Sequence, residues 1–293
     1  MKTDFEEKTY ESYFNSELSQ KSKFYFPIGQ VQEGLLGFDC SAYTHNRALW
    51  KLLGNPFFIF NHFQGCELSD FVQIIENNLE NYINNFPKMK CNLLFQYKKP
   101  EYIIRAPTRS RNKNEWNYWK KPYFRYDIYL KQQKLLMKIY NNFSNEVFVT
   151  YASPALSNMH ELVQAHLKKE IISNSNFSKV PDLEGHHRNT YAKAGNVSIA
   201  CSEPSYIKNI DLIETLNQLE QDNHFNNNKS NKEFIIDFGK LLESLVLEDS
   251  FYGDMFHSLN EKYNEYRNYD LLYYHLVLQN FKHLTGIQWL VKV

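Results

Sequence analysis

The chain has 293 residues, 43% of them hydrophobic and 23% charged, with 33 lysines and arginines balanced by 33 acidic residues. This composition excludes a disordered chain and supplies enough apolar material for a sizeable core without disulfides or structural metals. Zero net charge excludes a global attraction to polyanions, so any nucleic-acid binding would rest on a local basic patch.

In chain order, residues Phe5 to Ser19 read as a helix, with Phe5, Tyr10, Tyr13, Phe14 and Leu18 as an apolar stripe and acids in the first turns. Phe24 to Phe26 reads as a short strand halted by Pro27, and the glycine-punctuated run Gln32 to Asp39 leads into another strand through Tyr43. Glu67 to Phe86 is a predicted helix ending at Pro87. Cys91 to Lys98 is the clearest strand candidate, apolar at first and polar at its end. Arg105 to Lys121 reads as a basic loop, and Tyr123 to Phe143 begins extended and becomes helical. A buried strand over Glu146 to Tyr151 and a helix over Ser157 to Ile172 follow. His186 to Pro204 reads as loop and strand, and Ser205 to Leu219 as helix. The polar run 222–230 reads as a linker, and beyond it only helical patterns are expected, over Glu233 to Leu247, Phe256 to Tyr266 and Leu271 to Leu284. The expected organisation is an α/β domain over 1–221 and a C-terminal helical subdomain over 231–293.

The N-terminus is acidic and lacks an apolar core, and no run reaches the roughly 18–20 apolar residues of a membrane span, so a cytoplasmic protein is expected. The four cysteines, Cys40, Cys66, Cys91 and Cys201, are widely spaced and imply neither a zinc site nor a disulfide framework. With 10 glycines and no glycine-rich phosphate loop, a nucleotide-binding motor or a dinucleotide site is not expected.

Two strand-borne clusters carry coherent chemistry. Gly37-Phe38-Asp39 places a carboxylate on a strand after a glycine, and Gln96-Tyr97-Lys98 places two polar side chains at i and i+2, hence on one face of a sheet. A polar pair that breaks an apolar pattern at a strand end marks a site. A carboxylate and an amide oxygen are hard ligands suited to Mg²⁺ or Mn²⁺, and a lysine beside them can orient water or steady developing charge.

These residues resemble the PD-(D/E)XK nuclease superfamily, in which an Asp lies on one strand, a (D/E)-x-K triplet on the next, and a glutamate on a preceding helix. The Q-x-K form looks like the branch of Mrr-type restriction endonucleases and antiviral effector nucleases. Phe38 stands where the family has a proline, and a predicted helix fills the interval from Asp39 to Gln96. The resemblance implies a restriction-endonuclease-like mixed sheet flanked by helices, and a Mg²⁺-dependent endonuclease that cleaves DNA in restriction or antiphage defence. It assigns Asp39, Gln96 and Glu17 as metal ligands, with Lys98 as the catalytic lysine and Glu33 as a second candidate for the helix glutamate. The alternative is the same fold without cleavage, a subunit that binds nucleic acid or a protein.

The stretch Arg105, Arg109, Arg111, Lys113, Lys120 and Lys121, interleaved with Trp116, Tyr118 and Trp119, is a candidate phosphate-contacting segment. His186-His187-Arg188 is read as a surface loop in preference to a proton donor or zinc site. The C-terminal helices are read as packing surface or as a docking surface for a protein partner or a second copy.

Overall fold

The computed structural model describes residues 3–25, 72–106, 113–143, 146–195, 197–201, 203–221 and 229–293. Among them are nine α-helices and two five-stranded sheets, an α/β architecture.

The first sheet has the order β1-β10-β2-β5-β6: β1 (Phe24–Tyr25), β10 (Ile287–Lys292), β2 (Cys91–Tyr97), β5 (Val147–Pro154) and β6 (Ser175–Lys179). β2 and β5 run parallel, and the other pairs are antiparallel. The crossover between the parallel strands includes α4 (Leu130–Phe143), as a parallel pair requires. Both faces of this sheet are covered, so β2 is buried along its whole length. On one face Leu94, Val149, Trp289 and Val291 join a core with α4, α2 (Val72–Asn84), α7 (Asn231–Leu247) and α9 (Asp270–Thr285). On the other, Leu93, Phe95, Tyr97 and Leu290 join Tyr10, Phe14 and Leu18 of α1 (Glu7–Lys21), with α5 (Met159–Leu167) and α6 (Leu212–Gln221) beyond.

The second sheet is antiparallel, in the order β3-β4-β7-β8-β9: β3 (Glu101–Ile103), β4 (Tyr123–Asp127), β7 (Arg188–Tyr191), β8 (Val197–Cys201) and β9 (Ser205–Lys208). It meets the first sheet across a buried polar seam. There Ser178 of β6 donates to Asn209, and Asn189 of β7 donates to Tyr126 and Ser178. Each of these polar groups is satisfied by another, which is the condition for burying them.

Local signals account for several boundaries. Ser230 and Glu233 close a capping box on α7. Gly286, at φ 72°, ends α9 in the left-handed conformation that glycine adopts without a Cβ clash. That glycine turns the chain directly into β10, so the C-terminal segment is not helical throughout. β10 lies between β1 and β2, so the segment beyond residue 229 contributes a strand to the first sheet as well as helices. Two further expectations are corrected. The basic segment contains a helix, α3 (Lys113–Trp119), and the segment read as helix from Ser205 starts as β9. α8 (Gly253–Glu261) completes the set, and no described helix is long and apolar enough to cross a membrane.

Candidate functional site

The end of β2 is where the chain turns polar inside the fold. Alternation places Gln96 and Lys98 on the same face as Leu94. Gln96 lies between Ile287 of β10 and Tyr151 of β5 and is 2% exposed. Its Nε2 donates to the Tyr97 carbonyl at 2.9 Å, and its Oε1 is a buried acceptor with no hydrogen-bond partner. An orphaned buried carbonyl oxygen is costly unless something binds it.

Lys98 is 5% exposed. Its main-chain N–H prolongs the ladder by donating to the Ala152 carbonyl at 2.9 Å. Its ammonium donates to Gln132 Oε1 at 2.8 Å and lies 4.7 Å from the ring centroid of Tyr129 and 5.7 Å from that of Tyr151. Gln132 is held in turn by donating to the Thr285 carbonyl at 2.6 Å, at the end of α9. No carboxylate forms an ion pair with Lys98 among the described residues. Burial pushes the amine down to about 8, against the opposing fields of Glu7 and Asp127.

Gln96 and Lys98 open onto a cavity of about 480 Å³. Its walls are the β2–β3 connection, β4 through Arg125 and Asp127, the first turn of α4, the αL end of α9, and Glu7 of α1. The outer carboxylates are paired, Glu101 with Arg125 at 2.9 Å and Asp127 with Arg188 at 2.7 Å. Glu7 is different. Its Oε2 accepts from the Lys99 N–H at 3.1 Å, and burial raises its carboxyl above the usual range, with Lys98 pulling the other way. Glu7, Tyr129 and Gln132 were not singled out in the sequence. A glutamate at a helix start reads as a dipole-complementing acid, and only the β2–β3 turn shows that it faces a cavity.

The remaining expected residues divide clearly. Asp39 and Glu33 lie outside the described residues. Glu17 is buried on the opposite face of the first sheet. There it accepts from the N–H groups of Ile171 and Ile172 at 2.6 and 3.4 Å and pairs with Lys21 at 2.6 Å. It stitches α1 to the turn after α5, and the structure does not bring it to Gln96 or Lys98. Of the basic stretch, Arg105, Lys120 and Lys121 are exposed, while Arg109 and Arg111 lie outside the described residues, as does the Lys113 side chain. Within that stretch Glu115 is buried against Arg125, Arg188 and Tyr123, and Trp119 donates to Thr190 at 3.0 Å. These contacts dock α3 on the second sheet. Arg188, expected in a surface loop, is therefore a half-buried residue of β7 that links buried Glu115 to exposed Asp127.

Among the described residues no group of three or more His, Cys, Asp or Glu side chains is arranged to hold a metal ion. The side-chain carboxyl and amide oxygens lining the cavity come from Glu7, Gln96, Glu101, Asp127 and Gln132. Glu101 and Asp127 are paired with arginines and Gln132 Oε1 holds Lys98, which leaves Gln96 Oε1 and the Glu7 carboxyl as those not engaged with a cation. Both are hard oxygen donors of the kind Mg²⁺ takes, since that ion keeps several waters and few protein ligands. The two described thiols are not poised as nucleophiles: burial pushes Cys91 up to about 12 and Cys201 up to about 11. Ser153 is buried between the Lys98 carbonyl and the Tyr191 hydroxyl, with no histidine base in contact. Comparison of the chain with protein-family models, with curated proteins and with solved structures finds no match.

Proposed function

We propose that the protein is a metal-dependent phosphodiesterase, an endonuclease acting on DNA, whose reaction centre is the cavity at the end of β2. The observation that carries this reading is the pairing of a buried lysine, without a carboxylate ion-pair partner among the described residues, with the orphaned oxygen of Gln96, two residues apart on one strand. A cation held in a low-dielectric wall by a neutral amide is suited to receive an anion, and a phosphodiester supplies one. Gln96 Oε1 and Glu7, with Asp39, would hold the divalent ion. In this arrangement Glu7 takes the role that the family resemblance gave to Glu17. The bound ion would supply Lewis acidity toward the phosphoryl oxygens and a more acidic water. Lys98 places its ammonium against the charge that develops on the phosphorus oxygens. Gln132, anchored on the Thr285 carbonyl, fixes the direction of that ammonium. The restriction-endonuclease-like fold and a role in restriction or antiphage defence rest on the resemblance of Asp39 and the Gln96-Tyr97-Lys98 triplet alone.

The test is incubation with single-stranded circular DNA and, beside it, plasmid DNA, in Mg²⁺ or Mn²⁺, for the parent, Asp39→Ala and Gln96→Leu, with Mn²⁺ binding followed by calorimetry. Cleavage and Mn²⁺ binding by the parent, both lost in Asp39→Ala, support the reading. Gln96→Glu restores the acid common in the family and is expected to tighten Mn²⁺ binding. A second reading, a nucleic-acid-binding subunit without cleavage, is favoured by the amide in place of an acid and by the lack of a three-ligand group among the described residues. DNA binding without cleavage by the parent at any metal concentration would establish it.

A further inference from the structure

The first turn of α4 borders the cavity with an unusual display of apolar surface. Tyr129 is 67% exposed and Leu130 63% exposed. Lys131 holds its ammonium 3.7 Å from the ring centroid of Phe251, itself exposed. The Tyr129 ring is approached from within by the Lys98 ammonium at 4.7 Å and meets solvent elsewhere. Resting on the phosphodiesterase reading above, we propose that the substrate is an unpaired strand, with one nucleotide entering the cavity, its phosphate at Lys98 and its base stacked on the outer side of Tyr129.

Three observations carry this. Lys98 is 5% exposed and lines the cavity, a position that the phosphates on the surface of a duplex are poorly placed to meet and that suits a single extruded nucleotide better. The cavity of about 480 Å³ belongs to the size range of small-ligand pockets. The pairing of a cation with an open aromatic face, within the span of one nucleotide, is how bases free of their own stack are held. In a duplex the base faces are already stacked, and Tyr129 would have nothing to contact.

The experiment is fluorescence anisotropy in the presence of a chelator, which separates binding from cutting. The probes are a short oligothymidylate, an oligouridylate of the same length, and a blunt hairpin duplex, each against the parent, Tyr129→Ala and Tyr129→Phe. A strand carrying 2-aminopurine reports stacking directly. The parent is expected to bind a strand at least about tenfold more tightly than the hairpin. Tyr129→Ala should lose about tenfold or more, Tyr129→Phe should retain binding, and 2-aminopurine should be quenched by the parent and Tyr129→Phe only. Preference for the uridylate keeps the inference and reassigns the sugar. Equal binding of the hairpin, or undiminished binding and quenching by Tyr129→Ala, would overturn it. Strand binding without cleavage when Mg²⁺ is restored supports this inference and defeats the hydrolytic reading. Cleavage of duplex that depends on Lys98 but not on Tyr129 does the reverse, and failure to bind any probe defeats both.

Discussion

Lys98 is a lysine whose charge costs stability in the folded state. Its folded value of about 8 lies below the 10.5 of a free lysine, so between these limits the unfolded chain binds more protons. Stability therefore rises with pH across that window and is lost as pH falls through it, by on the order of 3 kcal/mol. Lys98→Met should remove this dependence and raise stability at neutral pH by about 1–2 kcal/mol, relief of the buried charge outweighing one lost hydrogen bond to Gln132. Denaturation by urea at pH 7 and near pH 10, compared between the two proteins, measures it; an equal pH dependence in both would refute the assignment. If the ammonium stabilises charge in the reaction, kcat/KM should fall as pH rises above about 8. At this scale the Gln96 and Lys98 positions were legible, because two polar residues on alternate positions interrupt an apolar strand. Glu17 was misread for a geometric reason. It lies ten residues beyond Glu7 on one helix, about 15 Å along the axis and about a quarter turn around it, and the sequence does not show which part of α1 reaches the strand end.

The elements around the cavity are held by contacts that predict their own sensitivities. His275 on α9 is fully enclosed, donating from Nδ1 to the Leu271 carbonyl at 2.7 Å and accepting at Nε2 from the Tyr25 hydroxyl of β1. Burial drives it down to about 4, below the 6.5 of free histidine, so the unfolded chain takes up the proton first as pH falls. Its contribution is present above about pH 6.5 and is lost toward pH 4, worth on the order of 3 kcal/mol over the window. His275→Gln should flatten the acid side of the stability profile, and a profile as steep as the parent's would show that other groups set it. Gly239 on α7 faces Tyr274 on α9, and a Cβ there would come 2.7 Å from the Tyr274 Cβ. Gly239→Ala should therefore cost about 1–3 kcal/mol, read as a lowered Tm. Long helices with apolar stripes were legible. β9 and β10 were not, because segments of four and six residues are too short for a period that distinguishes strand from helix.

Across the whole molecule, the last strand is the unexpected feature. β10 pairs with β1 on one edge and with β2 on the other, so the strand that carries Gln96 depends on the end of the chain for a neighbour. Gln96 lies opposite Ile287, and Gln132 is anchored on Thr285, so the C-terminal segment also supports the cavity. A fragment of residues 1–221 should fail to unfold cooperatively by itself and should regain structure when mixed with residues 229–293. Cooperative unfolding of the first fragment alone would show that the sheet closes without β10. Composition marks the polar run 222–230 as a boundary but does not show that the residues after it return a strand, β10, to the first sheet. The central claim, that phosphodiester chemistry occurs at Lys98, is tested most directly by assaying DNA cleavage in Mg²⁺ and Mn²⁺ by the parent and by Lys98→Met at matched fold, established by circular dichroism and Tm. The predicted result is cleavage by the parent and a loss of about a hundredfold or more in a variant at least as stable. Undiminished cleavage by Lys98→Met would contradict the account.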